Sequence, residues 1–207
     1  ERQIGNLPSN SINKIIIIVG YKSKKLIDHI KSLKIKHEII FIKNNNYNKT
    51  NCAYSLILAN NFFNRDSIII NCDLLFSKNT MNKLCKFKTE NNKVCVRKNH
   101  IFKTDLQDIY EENEKIINWS LNLEKSNGEV MGPVFMTKSS LFKLVKYFNS
   151  LNLNNQYKLH CFSLLSSSLK FISYQTLFIS DDEWIEIDTV NDFNEAKKLT
   201  KNKLFTT

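Results

Sequence analysis

The chain has 207 residues, 42% of them hydrophobic and 24% charged, with four glycines, two prolines and a formal net charge of +10. That balance excludes a fibrous or disordered protein and leaves material for one sizeable core, so a single domain over residues 1–207 is expected. The basic excess would suit nucleic acid or a small polyanion. Lys, Asn and Ile are abundant together, however, and runs such as "KSKK" (22–25) and "KLTKNK" (198–203) fall on expected helices, where a solvated face accounts for them. No stacking-aromatic platform accompanies them, so no nucleic-acid partner is expected. The longest apolar runs, at 15–19 and 67–70, are too short to span a bilayer and no signal-peptide pattern precedes them, which points to a cytoplasmic protein without a membrane partner. Cys52, Cys72, Cys85, Cys95 and Cys161 are odd in number and never spaced C-x-x-C, so they read as reduced, mostly buried thiols without zinc.

In chain order, "NKIIIIVGY" is a β-branched run of the kind buried on both faces of a sheet. "KSKKLIDHIKSL" places Leu26, Ile27, Ile30 and Leu33 at helical spacing, and "HEIIFIK" is a second strand. A polar loop, "NNNYNKT", leads to the helix "NCAYSLILANNFF", with Asn51 or Thr50 as its N-cap. "DSIIINCD" is a third strand, apolar until Asn71 and Asp73. This alternation predicts parallel strands with right-handed crossovers and ligands at the strands' carboxyl ends. Shorter strands follow in "NKVCVRK", "KTDLQDIY", "KIINWSLNL" and "GEVMGPVFMT", joined by turns such as "EENEK" and "KSNG". Helices resume at "SSLFKLVKYFNSL" and "NQYKLHCFSLLSSSL". The strands "KFISYQTLFI" and "DDEWIEIDTVNDF" and the helix "NDFNEAKKLTKN" close the chain.

Asp73 and Asp188 each end an apolar strand ahead of a turn and helix, so both can project over one sheet edge. Either aspartate alone reads most simply as a helix cap. Together they offer two hard oxygen ligands, the kind of donor that Mg²⁺ takes beside a polyphosphate. Thr189 is itself a good N-cap, which would leave Asp188 free to face a site.

The segments "NKIIIIVGY", "TNCAYSL", "SIIINCDLLF", "GEVMGPVFM" and "EWIEIDTVNDF" stand in the order and approximate spacing of the nucleotidyltransferase family that includes sugar-phosphate and choline-phosphate cytidylyltransferases, which the chain resembles over nearly its whole length. The resemblance implies a Rossmann-like three-layer α/β/α sandwich with a mixed, mostly parallel sheet, of the nucleotide-diphospho-sugar transferase type. It implies Asp73 and Asp188 as catalytic ligands of Mg²⁺, with Glu186 supporting Asp188 from behind. It also implies Asn51, Tyr54 and Ser55 beside the nucleotide, and Glu129, Trp184 and Lys158 in the acceptor region. The partners would be a nucleoside triphosphate, CTP by preference, and a small phosphorylated or phosphonate acceptor; a homodimer is compatible with this. No catalytic role falls to His29, His37, His100 or His160. A metal-dependent glycosyltransferase of similar fold, or a non-catalytic nucleotide-binding domain, are the rival readings.

The sequence departs from the family in four places. The family's first strand and G-x-G-x-R loop, with a later P-K, do not precede "ERQIGNLPS", which matches the helix after that loop. The chain therefore reads as N-terminally truncated, with the first strand missing, an interior edge left unpaired, and low stability expected. Leu121 stands where lysine is common, Cys52 where Asn is frequent, and Lys158 and Leu159 where acidic residues are usual. Lys158 in place of an acidic residue argues against a cationic acceptor and for an anionic one.

Overall fold

In the computed structural model, which describes residues 1–86, 91–98 and 107–199, the first apolar run forms β1 (Lys14–Val19) after a short helix, α1 (Arg2–Gly5). A crossover helix, α2 (Ser23–Ser32), returns the chain to β2 (Glu38–Lys43), which pairs with β1 in parallel from Lys14 and Glu38 to Val19 and Lys43. Burial of β1 on both faces is not realised: of its residues only Val19 is buried. Among the described residues β1 has β2 as its single partner, and α2 buries only Ile30 beside them, so too little packs against the strand to cover it.

Helix α3 (Cys52–Leu58) starts at Asn51, whose side chain accepts from the Cys52 N–H at 2.7 Å, so Asn51 and not Thr50 is the cap. The stretch read as one strand over 66–73 divides. It forms β3 (Ser67–Ile69), an irregular turn, and a separate strand, β4 (Leu74–Phe76), that the sequence reading missed. Next come α4 (Lys78–Lys86), β5 (Asn92–Lys98), β6 (Gln107–Glu112), β7 (Lys115–Leu121) and β8 (Gly128–Met136). The expected helix over 155–169 is two helices, so α5 (Lys138–Ser150) is followed by α6 (Leu153–Lys158) and α7 (Cys161–Ser167), with His160 capping α7. The chain closes with β9 (Tyr174–Phe178), β10 (Trp184–Glu186) and α8 (Val190–Leu199). Residues 103–106 and 200–203 of the expected elements, and His100, lie outside the described residues.

Six strands form one sheet in the order β3-β8-β5-β9-β7-β6, and the nine residues of β8 pair with β5, with β3 and, near Gly128, with β6. The sheet is mixed, but it is not mostly parallel. Among the described residues only β1–β2 and β5–β9 run parallel and the other pairs are antiparallel; in β6–β7 a tight turn joins the two strands, and a tight turn can only make an antiparallel pair. Asn113 and Glu114, both at positive φ, make one such turn between β6 and β7.

Alternate residues of β5 and β8 enter two different cores, as the pleat requires. Val94, Val96, Val130 and Val134 face Ile57, Leu141, Leu144 and Leu164 from α3, α5 and α7. Cys95, Met131 and Phe135 face Met81 and Leu84 of α4 together with Phe76 and Trp184. All five cysteines are free; Cys95 and Cys161 are buried and Cys72 is exposed. No helix among the described residues is long and apolar enough to cross a membrane.

Candidate active site

The short antiparallel pair β4–β10 builds the site. Leu74 stands opposite Glu186 and Phe76 opposite Trp184, and the Ile187 N–H donates to the Asp73 carbonyl at 2.9 Å just past the end of the ladder. This register sets Asp73 beside the residues flanking Ile187. Carboxylate oxygens of Asp73, Glu186 and Asp188 all lie within 4.8 Å of one another.

Three contacts hold the turn that carries Asp73. The Gln3 amide of α1 donates to the carbonyls of Asn71 and Leu74, each at 2.7 Å, and so grips the backbone on both sides of Asp73. Asn6, which is buried, donates to the Phe76 carbonyl at 2.6 Å. Gly132 of β8 has φ +117°, and a Cβ there would stand 2.2 Å from Leu74 Cδ1, so close approach of β8 to β4 needs glycine.

The other side of the site rests on the helix start. Thr189 Oγ accepts from the Asp192 N–H at 3.2 Å, and the Asp192 carboxylate accepts in return from the N–H groups of Thr189, at 2.8 Å, and Asp188, at 3.1 Å. Thr189 and Asp192 thus cap α8 between them, as a reciprocal box does, and the Asp188 side chain is not spent on capping.

Two expectations need correction. Asp73 precedes a strand and not a helix, so capping cannot explain it. Glu186 was expected behind Asp188, yet its carboxylate belongs to the same group of three, because alternate residues of β10 share a face and its register sets it against Leu74 beside Asp73. Asp73 Oδ1 is buried with no hydrogen-bond partner among the described residues. A buried carboxylate oxygen left unpaired beside two further carboxylates is costly, and a hard divalent cation such as Mg²⁺ would satisfy all three. The donor set therefore fits that ion.

The start of α3 lies on the same side. Asp73 is near enough that its charge opposes the lowering of the His160 pKa, which burial drives, and adds to the burial that raises the Cys52 thiol. The Asn51 N–H donates to the Tyr157 carbonyl at 2.7 Å, and its side chain reaches the Lys158 carbonyl at 3.4 Å. Ser55 Oγ accepts from Asn44 at 3.0 Å. Tyr54 packs edge-on against Tyr157, with ring centroids 5.3 Å apart, and joins the edge of the larger core. Sequence reasoning missed Asn44. It is 2% exposed, donates to Thr50 and Ser55 and accepts from the Asn46 N–H, which ties the 44–51 loop to α3. The asparagine-rich "NNNYN" was its available signal. Gly20 at the end of β1 is closely covered by Tyr47 of this loop, whose Cβ would stand 2.6 Å from an added Cβ.

Of the residues expected around the acceptor, Glu129 is fully buried at the start of β8 and accepts from Arg97 Nε at 2.5 Å, and Trp184 is 6% exposed within the smaller core. Lys158 is exposed at the end of α6, on the Asn51 side. Asp108 stands directly opposite Glu129 and is also buried; burial raises its pKa, Glu129 raises it further, and the Leu123 N–H opposes both.

No family model matches the chain. It is 27% identical over 210 residues to a choline-phosphate cytidylyltransferase of Haemophilus influenzae, covering 98% of this chain and 84% of that one. Among solved structures it resembles the inositol-1-phosphate CTP transferase of T. maritima, with a TM-score of 0.77 at 17% identity over 93% of this chain and 78% of that one. It also resembles the CTP:phosphocholine cytidylyltransferase of Streptococcus pneumoniae, with a TM-score of 0.74 at 21% identity over 95% and 82%. The resemblance to nucleotidyltransferases that the motifs carry is borne out, and the reading of the chain as enzyme-like stands with it.

Proposed function

We propose that the protein is a Mg²⁺-dependent nucleotidyltransferase that moves CMP from CTP to a small phosphorylated or phosphonate acceptor and releases pyrophosphate. The observation that carries this reading is the convergence of Asp73, Glu186 and Asp188 on one point, with Asp73 Oδ1 left without a partner among the described residues. Convergent carboxylates are what a metal-bound triphosphate needs, and the named relatives supply the reaction class.

An acceptor phosphate or phosphonate oxygen would attack the α-phosphorus in line as the bond to the pyrophosphate oxygen breaks. No nucleophilic side chain is required, so catalysis reduces to positioning and charge neutralisation. Asp73, Glu186 and Asp188 would hold the cation, which when bound supplies neutralisation of the triphosphate charge. Asn51 and Ser55 at the start of α3 would face the nucleotide, with Asn44 holding their loop in place. Tyr54 would contribute through packing against Tyr157, and Lys158, exposed beside Asn51, would offer a positive charge to a phosphate.

Pyrophosphate release from CTP in the presence of Mg²⁺ and a panel of phosphorylated acceptors tests the reading. Asp73→Ala or Asp188→Ala should lower the rate on the order of a thousand-fold, since each removes several kcal/mol of charge stabilisation. Undiminished turnover in both folded variants, or release of a nucleoside diphosphate from a nucleotide sugar, would sink it.

A further inference from the structure

Arg97 lies in the part of the molecule assigned above to the acceptor, and it holds together the two groups that would otherwise recognise a cation. It stands directly across the β5–β8 ladder from Glu129, so both side chains leave the sheet on one face. Its Nε donates to the fully buried Glu129 carboxylate at 2.5 Å, and its Nη1 reaches the exposed Asp181 at 3.5 Å. The guanidinium carbon lies 5.6 Å from the centre of the Trp184 ring, within range of a cation–π contact.

A quaternary ammonium is bound by aromatic faces and a nearby carboxylate. Here Trp184 is 6% exposed and Glu129 fully buried, and both already face a permanent internal cation. Arginine does not deprotonate, so its charge cannot be titrated away to admit another. A second positive charge brought to this place would meet Arg97 in a poorly solvated setting. What remains is rich in donors: the guanidinium, and the buried indole Nε1 of Trp184, which has no acceptor among the described residues. Asp108 adds a second buried carboxylate to the row; burial raises its pKa, and its carboxylate is engaged by the Leu123 N–H.

We propose that Arg97 is a specificity-determining residue that takes the place of a cationic headgroup, so that the acceptor is a phosphate ester whose body is uncharged. This rests on the nucleotidyltransferase reading for the location of the acceptor. It points away from choline phosphate, on which the 27%-identical relative is named as acting.

The test compares choline phosphate with 3,3-dimethylbutyl phosphate, which has the same shape and lacks the charge, by calorimetric titration of the protein. The wild type should bind the uncharged ester about tenfold more tightly. Arg97→Lys, which keeps the cation, should preserve the order. Arg97→Gln should reverse it, because the cation that faces Glu129 and Trp184 is then removed. Equal or tighter binding of choline phosphate by the wild type overturns the proposal, as does an unchanged order in folded Arg97→Gln. Should the single variant not fold, Arg97→Gln paired with Glu129→Gln removes both charges of the ion pair, and its preference should fall to near unity; a retained tenfold preference there overturns the proposal. Pyrophosphate release measured alongside separates the two readings. Release supported equally by both esters defeats only the role of Arg97, whereas binding of neither ester and release with neither defeats both.

Discussion

The six-stranded sheet and the β4–β10 pair each gather a group of carboxylates, and they handle them in opposite ways. Glu129 and Asp108 share a row with Arg97, a backbone N–H serves Asp108, and the row is closed within the protein. Asp73, Glu186 and Asp188 converge on one point, and the buried Asp73 Oδ1 has no hydrogen-bond partner among the described residues. The difference teaches where the protein asks for something from outside. A compensated group stabilises the fold and repels a further cation, whereas an uncompensated one costs stability until a cation arrives.

The sharpest way to break this comparison is to unbalance the closed row. Glu129→Ala takes the buried counter-charge from Arg97, whose side chain is largely covered, and should cost about 3 kcal/mol, a fall of roughly 6–12 °C in Tm by differential scanning calorimetry. Glu183 is a second compensated carboxylate. It is 3% exposed, accepts from Asn79 at 2.6 Å and Lys83 at 3.3 Å, and pins the turn before β10 to α4. Burial pushes its pKa up, but the bonds from Asn79 and Lys83 outweigh this and hold it below the usual 4.5. A lowered carboxylate pKa gives stability that is present above the ordinary value and lost as pH falls through the folded one. Glu183→Gln should therefore cost about 2 kcal/mol at neutral pH, and its difference from wild type in urea unfolding should shrink progressively below pH 4.5.

The open group should respond in the other direction. Mg²⁺ at ten times its Kd should raise stability by about 1.4 kcal/mol, an effect visible as a shift in Tm and absent from a variant carrying both Asp73→Asn and Asp188→Asn. Smallest of all, Asp73→Asn in metal-free buffer should not destabilise the protein and should gain it roughly 0.5 kcal/mol, since a like-charge contact is relieved. A marked loss of Tm there would mean that Asp73 holds the fold in the way Glu129 does, and the contrast between the two groups would collapse.

The local elements were legible because their signals are local. β-branched runs marked β1 and β2, the i, i+3, i+4 spacing marked α2, and Asn51 and Thr189 marked helix starts. Asp73 and Asp188 were also readable as a pair, through motif order and not through periodicity. Other features depended on partners distant in the chain. The break between β3 and β4 occurs because β4 pairs with β10, more than a hundred residues on, and no local property of "IIINCDLLF" announces that partner. Glu186 joins the carboxylate group only through the register of that same pair. Arg97 looked like an ordinary residue of a short strand until the β5–β8 ladder set it against Glu129. The sequence by itself determined most of the strands and helices, though not where 66–76 and 155–169 divide, since backbone sterics and side-chain spacing act over a few residues. Only the tertiary structure decided which carboxylates meet a counter-charge and which converge on one another, because both depend on which side chains the strands bring face to face, and that is a matter of strand order and register.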